Sequence, residues 1–161
     1  MDRHSKITDR IFITNWHGSL DPDQLSANKI RYVLCMNSEN TKQEEDHDVY
    51  RIMGIQHKYI KINDHPDACM YFHFPEIIEY MKNEKKGNIL VHCTAGVSRS
   101  TTAVIAYLMF KVYSKGSPTK CRILPYIVSY VKKRRRWCNP NFGFLNQLYK
   151  FETHLIRISS K

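Results

Sequence analysis

At 161 residues, 42% of them apolar and with Gly and Pro sparse, the chain is long enough to bury one core and too short for two, which excludes disordered and multidomain readings. Lys and Arg number 25 against 15 Asp and Glu, a formal net charge of +10 that attracts nucleic acid, anionic lipid or phosphorylated protein without choosing among them. No apolar run approaches the ~20 residues of a membrane span, and five cysteines with no C-x-x-C pair and eight histidines with no H-x-x-x-H argue against a disulfide framework and a metal site.

The first residues, Met1, Asp2, Arg3 and His4, offer neither an apolar signal core nor a glycine for myristoylation. The expectation is a soluble single domain over residues 1–161, cytoplasmic with the nucleus open to it, of undefined oligomeric state. Ile11, Phe12 and Ile13 form the first short apolar run and read as a strand. Residues 31–36 are a second strand, apolar enough to be buried on both faces. Residues 37–48 are polar and acidic and read as a surface loop. Tyr59, Ile60 and Ile62, around Lys58 and Lys61, make a third strand. A helix is expected over residues 71–85, where Phe74, Ile77, Ile78 and Met81 recur at helical spacing and Gly87 supplies the stop.

Residues 88–92 form the next strand, and residues 101–113 a strongly apolar, central helix. Ser117 and Pro118 signal a further helix start, with Leu124, Ile127, Val128 and Val131 as its buried stripe and Pro125 marking a kink or restart. That helix ends in Lys132, Lys133, Arg134, Arg135 and Arg136, cations suited to the helix dipole and to solvent. Pro140 opens a last helix through Phe144, Leu145, Leu148, Phe151 and Leu155. Strands alternating with helices give an α/β domain with a mostly parallel central sheet flanked by helices.

One stretch carries the chemistry: His92, Cys93, Thr94, Ala95, Gly96, Val97, Ser98, Arg99, Ser100, set between a buried strand and a helix. Such a junction aims backbone N–H groups and the positive helix end at one point and makes an anion site. Thr94, Ala95, Gly96, Val97, Ser98 and Arg99 would wrap a phosphate, with Ala95 and Gly96 permitting close backbone approach. Cys93 would lie at the bottom, where the amides favour thiolate; a free thiol, with pKa ~8.5, is only about 3% ionised at pH 7. Arg99 can grip two phosphate oxygens with its planar fork, and the grip tightens as charge spreads in the transition state. Ser100 can donate to the sulfur when it leaves. Cys93 alone among the five cysteines has Arg six residues on, a spacing that chance produces roughly 0.3 times in this composition; His92, Gly96, Ser100 and the strand–helix setting give it weight.

His92-Cys93-x5-Arg99-Ser100 resembles the active-site motif of protein tyrosine phosphatases, and residues 95–100 resemble the dual-specificity branch, the small type with little beyond a catalytic core. Tyr32-Val33-Leu34, residues 106–109, 131–135 and 139–145 extend the resemblance over nearly the whole chain. It implies the cysteine-phosphatase fold and hydrolysis of phosphotyrosine and phosphoserine/threonine proteins through a phosphocysteine, with no cofactor. It also implies a general-acid Asp some thirty residues before the cysteine. Asp64, at the end of the third strand, is preferred, with Asp67 as rival. Asn141 resembles the asparagine that braces the phosphate loop through its side chain, and His92 is expected to orient the loop and help lower the thiol pKa. Cys35, at the end of its strand, is a candidate redox partner for Cys93, with a small buried hydrophobe as the bland reading. The uncharged loop positions Thr94, Val97 and Ser98 rank phosphoprotein first as substrate, an RNA 5′-triphosphate second and a phosphoinositide third, so nucleic acid is disfavoured. A catalytically dead phosphoprotein-binding module is the remaining alternative.

Overall fold

The structure, a computed structural model, describes residues 1–38, 43–116 and 121–160, with the backbone alone for residues 43–47. The strands β1 (Ser5–Lys6), β2 (Ile11–Thr14), β3 (Ile30–Asn37), β4 (Gln56–Lys61) and β5 (Asn88–His92) form a sheet of order β1-β2-β5-β3-β4. All neighbours run parallel except β1 and β2. The expected α/β architecture with a mostly parallel sheet is therefore the one observed. The four expected strands are present, and β1 is an addition.

Helices cover both faces. On one side lie α2 (Pro22–Ala27) and α3 (Gln43–Met53), closing a cluster of Phe12, Leu25, Ile30, Val33, Tyr50, Ile55 and Leu90. The short α1 (Trp16–Ser19) precedes α2. On the other side are α4 (Phe74–Met81), α5 (Arg99–Ser114), α6 (Leu124–Arg134) and α7 (Phe142–Ser159). The helix α5 packs on α4, α6 and α7 and is buried around most of its surface, as an apolar run without a polar stripe must be. Single 3₁₀ turns, Tyr71–His73 and Lys82–Lys85, extend α4 to the full span expected from the periodicity.

Two differences have physical causes. The expected surface loop at residues 37–48 is overturned at Asn37, which ends β3 and is buried, and over residues 43–48, where α3 begins; residues 39–42 lie outside the described residues. Val49 and Met53, one turn apart, pack with the fully buried Tyr50 on the cluster beneath the sheet, so tertiary burial outweighs local polarity. The Ser117–Pro118 helix start lies outside the described residues. The helix α6 starts at Leu124, and Pro125 occupies its first turn, where a missing N–H costs nothing, so the proline opens the helix and does not kink it.

The opening of α6 has no side-chain cap of its own, and α7 provides one from across the core. The wholly buried Glu152 accepts through Oε2 from Ile123 N (2.7 Å), Leu124 N (3.2 Å) and Tyr113 Oη (2.9 Å). Glu152→Ala would remove the acceptor shared by two amides and the Tyr113 hydroxyl. It is expected to lower the unfolding free energy by about 3 kcal/mol, read as a fall in the urea midpoint with unchanged slope. An unshifted midpoint would remove Glu152 from the fold's support.

Candidate active site

β5 is flanked by β2 and β3 on its two sides, so the chain crosses over in opposite senses around it. The crevice at the carboxyl end of such a strand is where α/β sheets bind ligands. Cys93 is the first residue past β5. It is 2% exposed, and its Sγ lies 3.2 Å from Ser100 Oγ.

The loop after Cys93 is held from outside by its carbonyls. Thr94 O accepts from Trp16 N (3.1 Å), Gly96 O from Arg135 Nε (2.9 Å) and Val97 O from Asn139 N (2.8 Å). In a trans peptide the N–H points opposite to its C=O. Pinning carbonyls 94, 96 and 97 therefore aims the amides of residues 95, 97 and 98 the other way. Among the described residues, the amides of residues 94–98 have no protein acceptor. A row of unpaired amides leading into α5 is an anion cradle, because such donors are otherwise nearly always paired. Gly96 makes the turn possible: its φ is +66°, and an added Cβ would lie 2.6 Å from both Thr14 O and Arg135 Nη2. Thr94 Oγ1 donates to Asn37 Oδ1 (3.0 Å), tying the loop to the end of β3.

Arg99 opens α5 and is 7% exposed. Its Nη1 donates to Ile62 O (3.1 Å), two residues before Asp64, while its Nε is buried with no partner. Asp64 Oδ1 accepts from Asn141 Nδ2 (3.0 Å). The rival Asp67 faces solvent, its side chain 94% exposed and 3.8 Å from His65. The loop bearing Asp64 is further fixed where Pro66 O approaches Gly143 so closely that a side chain there would collide.

Two expectations change. Asn141 does not brace the phosphate loop with its side chain, because both ends are committed elsewhere: Oδ1 caps α7 by accepting from Phe144 N (2.8 Å), and Nδ2 holds Asp64. Its backbone N–H reaches the loop instead, at Ser98 Oγ (3.0 Å). His92 is wholly buried, and burial pushes its pKa down to about 3. The ring is neutral at physiological pH and carries no positive charge toward the thiol, and among the described residues neither ring nitrogen has a hydrogen-bond partner through which it would orient the loop.

Cys35 is the register partner of His92, one residue from Cys93 across the β3–β5 pair. Strand alternation assigns its side chain to the face of Val33, whereas Cys93 packs in the cluster on the other face. The expected redox role of Cys35 has proximity in its favour and orientation against it.

With this geometry in view, comparison with known proteins gives a direct match: the family model for the dual specificity phosphatase catalytic domain covers residues 11–154. The chain belongs to that family. Among curated dual specificity phosphatases, it is 33% identical over 153 residues to a probable rhodanese domain-containing member from Dictyostelium discoideum, covering 92% of this chain and 29% of the relative. It is 32% identical over 149 residues to dual specificity protein phosphatase 15 of Mus musculus, covering 91% and 57%. The chain thus spans well under two thirds of these relatives' length. Among solved structures, that of DUSP15 superposes with TM-score 0.78 at 28% identity, covering 99% of this chain and 96% of that one. The Yvh1 phosphatase domain from Chaetomium thermophilum gives 0.80 at 24%, covering 94% and 95%, a likeness of fold.

In this dual specificity phosphatase domain, sequence reasoning missed Asn37, the Asn141–Asp64 bond and Arg135. The supports from Trp16 N and Asn139 N are backbone donors, which any residue but proline would supply and no motif could reveal. Arg135 lies in a basic run whose ordinary fate is solvent, and Lys132, Lys133, Arg134 and Arg136 do remain exposed.

Proposed function

We propose that this domain hydrolyses phosphate monoesters of tyrosine and of serine or threonine in proteins, through a phosphocysteine intermediate. The observation that carries the reading is the run of unpartnered amides at residues 94–98 directly after Cys93, with the unpartnered, buried Arg99 Nε at the opening of α5. Three equatorial phosphate oxygens supply the acceptors that these donors lack.

The Cys93 thiolate attacks phosphorus in line while the P–O bond to the ester oxygen breaks. Asp64, held by Asn141, gives its proton to that departing oxygen. Charge spreading over the equatorial oxygens meets the amides and Arg99. Water then attacks the phosphocysteine, its proton passes to the Asp64 carboxylate, and the P–S bond breaks. Ser100 Oγ, 3.2 Å away, donates to the departing sulfur and stabilises its charge. The five cysteines are all free, which suits a reducing compartment, and the cytoplasm is the proposed site of action.

The test is a panel of phosphotyrosine and phosphothreonine peptides beside triphosphate-ended RNA. Phosphate release from both peptides and none from the RNA is expected; the reverse pattern would transfer the chemistry to the RNA 5′-triphosphatase reading. Asp64→Asn is expected to lower kcat roughly 10²-fold with poor leaving groups, and less with good ones. It also flattens the basic limb of the pH–rate profile, because that limb reports loss of the acid's proton. If Asp67→Asn does this and Asp64→Asn does not, the acid is Asp67.

A further inference from the structure

Of the five cations at residues 132–136, Arg135 alone is buried, at 1% exposure. The cause is local. The helix α6 ends at Arg134, and Arg135 leaves it in an extended conformation, φ −141° and ψ 96°, which turns the side chain inward. A buried guanidinium is tolerated only where its donors are met. Nε donates to Gly96 O (2.9 Å), Nη1 to Arg3 O (3.1 Å) and Ser5 Oγ (3.0 Å), and Nη2 to Met1 O (2.9 Å). None of the four acceptors is a carboxylate, so these contacts hold backbone in place rather than neutralise charge.

The residues between these N-terminal acceptors are anchored in turn. Asp2 O accepts from Thr14 Oγ1 (3.0 Å) and Gln24 Nε2 (3.0 Å), and the Asp2 carboxylate from Asn15 Nδ2. His4 N donates to Gln24 Oε1 (2.7 Å), and its Nε2 pairs with Gly18 O at 2.7 Å. On the other side, Gly96 C=O and Val97 N–H belong to one planar peptide unit, so a grip on the oxygen sets the direction of the amide. Arg135 Nη2 fills the space where a Cβ of residue 96 would stand.

We propose that Arg135 is a positioning residue for phosphate binding: it aims the Val97 amide by gripping the Gly96 carbonyl, and it makes residues 1–5 the fixed support for that grip. The kinetic consequence rests on the phosphomonoesterase reading; the binding consequence does not.

The experiment compares wild type, Arg135→Met and Arg135→Lys by inorganic phosphate binding and by kcat and KM for an aryl phosphate, at a temperature well below each melting point. Arg135→Met is expected to weaken phosphate binding about tenfold and to lower kcat roughly 10²-fold, the scale of losing one oriented donor. Arg135→Lys, which keeps the charge and the stem but cannot span both sides, recovers part of each. A merely structural role would lower the melting temperature and leave the folded protein's phosphate affinity within twofold of wild type; that result overturns the proposal. Should Arg135→Met not fold, Arg135→Lys decides: a loss of phosphate affinity of twofold or more supports the proposal and a smaller loss overturns it. A wild type that binds phosphate but turns over no phosphomonoester sinks the proposed function alone, and phosphate affinity still decides Arg135.

Discussion

Cys93→Ser is expected to lower turnover of an aryl phosphate by roughly 10⁴-fold or more while leaving inorganic phosphate binding within a few-fold of wild type. The two readouts separate because different parts of the site carry them. Binding belongs to the amides of residues 94–98 and to Arg99, and the contacts that hold them in place come from Trp16, Arg135, Asn139 and Ile62, whose hydrogen bonds there go to carbonyl or guanidinium groups and not to the sulfur. Turnover needs a nucleophile ionised near neutrality, and a serine hydroxyl with no general base beside it is not one. The neighbour of Cys93 Sγ is Ser100 Oγ, a hydroxyl that can donate to a thiolate but cannot accept a proton usefully from a serine. Initial rates and calorimetric phosphate titration on the same preparation check both halves. Residual turnover within tenfold of wild type would mean that Cys93 is not the nucleophile.

The parts of this site legible in the sequence are those that local chain geometry determines. Cys93 and Arg99 lie six residues apart across one strand–loop–helix junction, so hydrophobic periodicity on either side is enough to place them together. Gly96 follows from the same turn. Asp64 could be placed at the end of β4 by counting, but nothing local selects it over Asp67. Both carboxylates are exposed, and what sets Asp64 apart is its bond from Asn141, 77 residues away, where Asp67 has only His65 beside it. A pairing at that separation depends on where α7 lands after three intervening helices.

Arg135 shows the opposite difficulty. Five consecutive cations at a helix end suit both the dipole and solvent, and four of them behave accordingly. The fifth differs because α6 stops one residue earlier, and an extended backbone reverses the direction of one side chain. The same holds for α3, where a polar segment becomes helical because Tyr50, beyond the polar stretch, has a place in the core. In α2 the signal was present and local: Asp21 caps the helix by accepting from Asp23 N and Gln24 N, with Pro22 in its first turn, although the segment lacks an apolar period to draw attention to it.

Arg99→Lys is expected to reduce kcat/KM by roughly 10²- to 10³-fold despite conserving the charge. The guanidinium has two tasks in opposite directions. Its Nη1 donates to Ile62 O at 3.1 Å, holding the strand end from which the Asp64 loop departs, and its Nε is buried without a protein partner and awaits a phosphate oxygen. A planar fork can serve both at once because its N–H groups diverge. A lysine has one nitrogen at the end of a flexible stem. If it follows the phosphate, Ile62 O loses its partner and the acid loop is released; if it stays on Ile62 O, the transition-state charge loses its clamp. Either way kcat falls more than KM rises, because the phosphate dianion is still held by the amides of residues 94–98, whereas charge developing in the transition state is not fully met. The first outcome also weakens proton donation, so the loss should grow with the leaving group's pKa across a series of aryl phosphates. Steady-state kinetics over such a series, with phosphate affinity measured in parallel, test the account. A kcat/KM within fivefold of wild type for every leaving group would show that positive charge alone suffices at residue 99 and that the fork geometry has no part in the reaction.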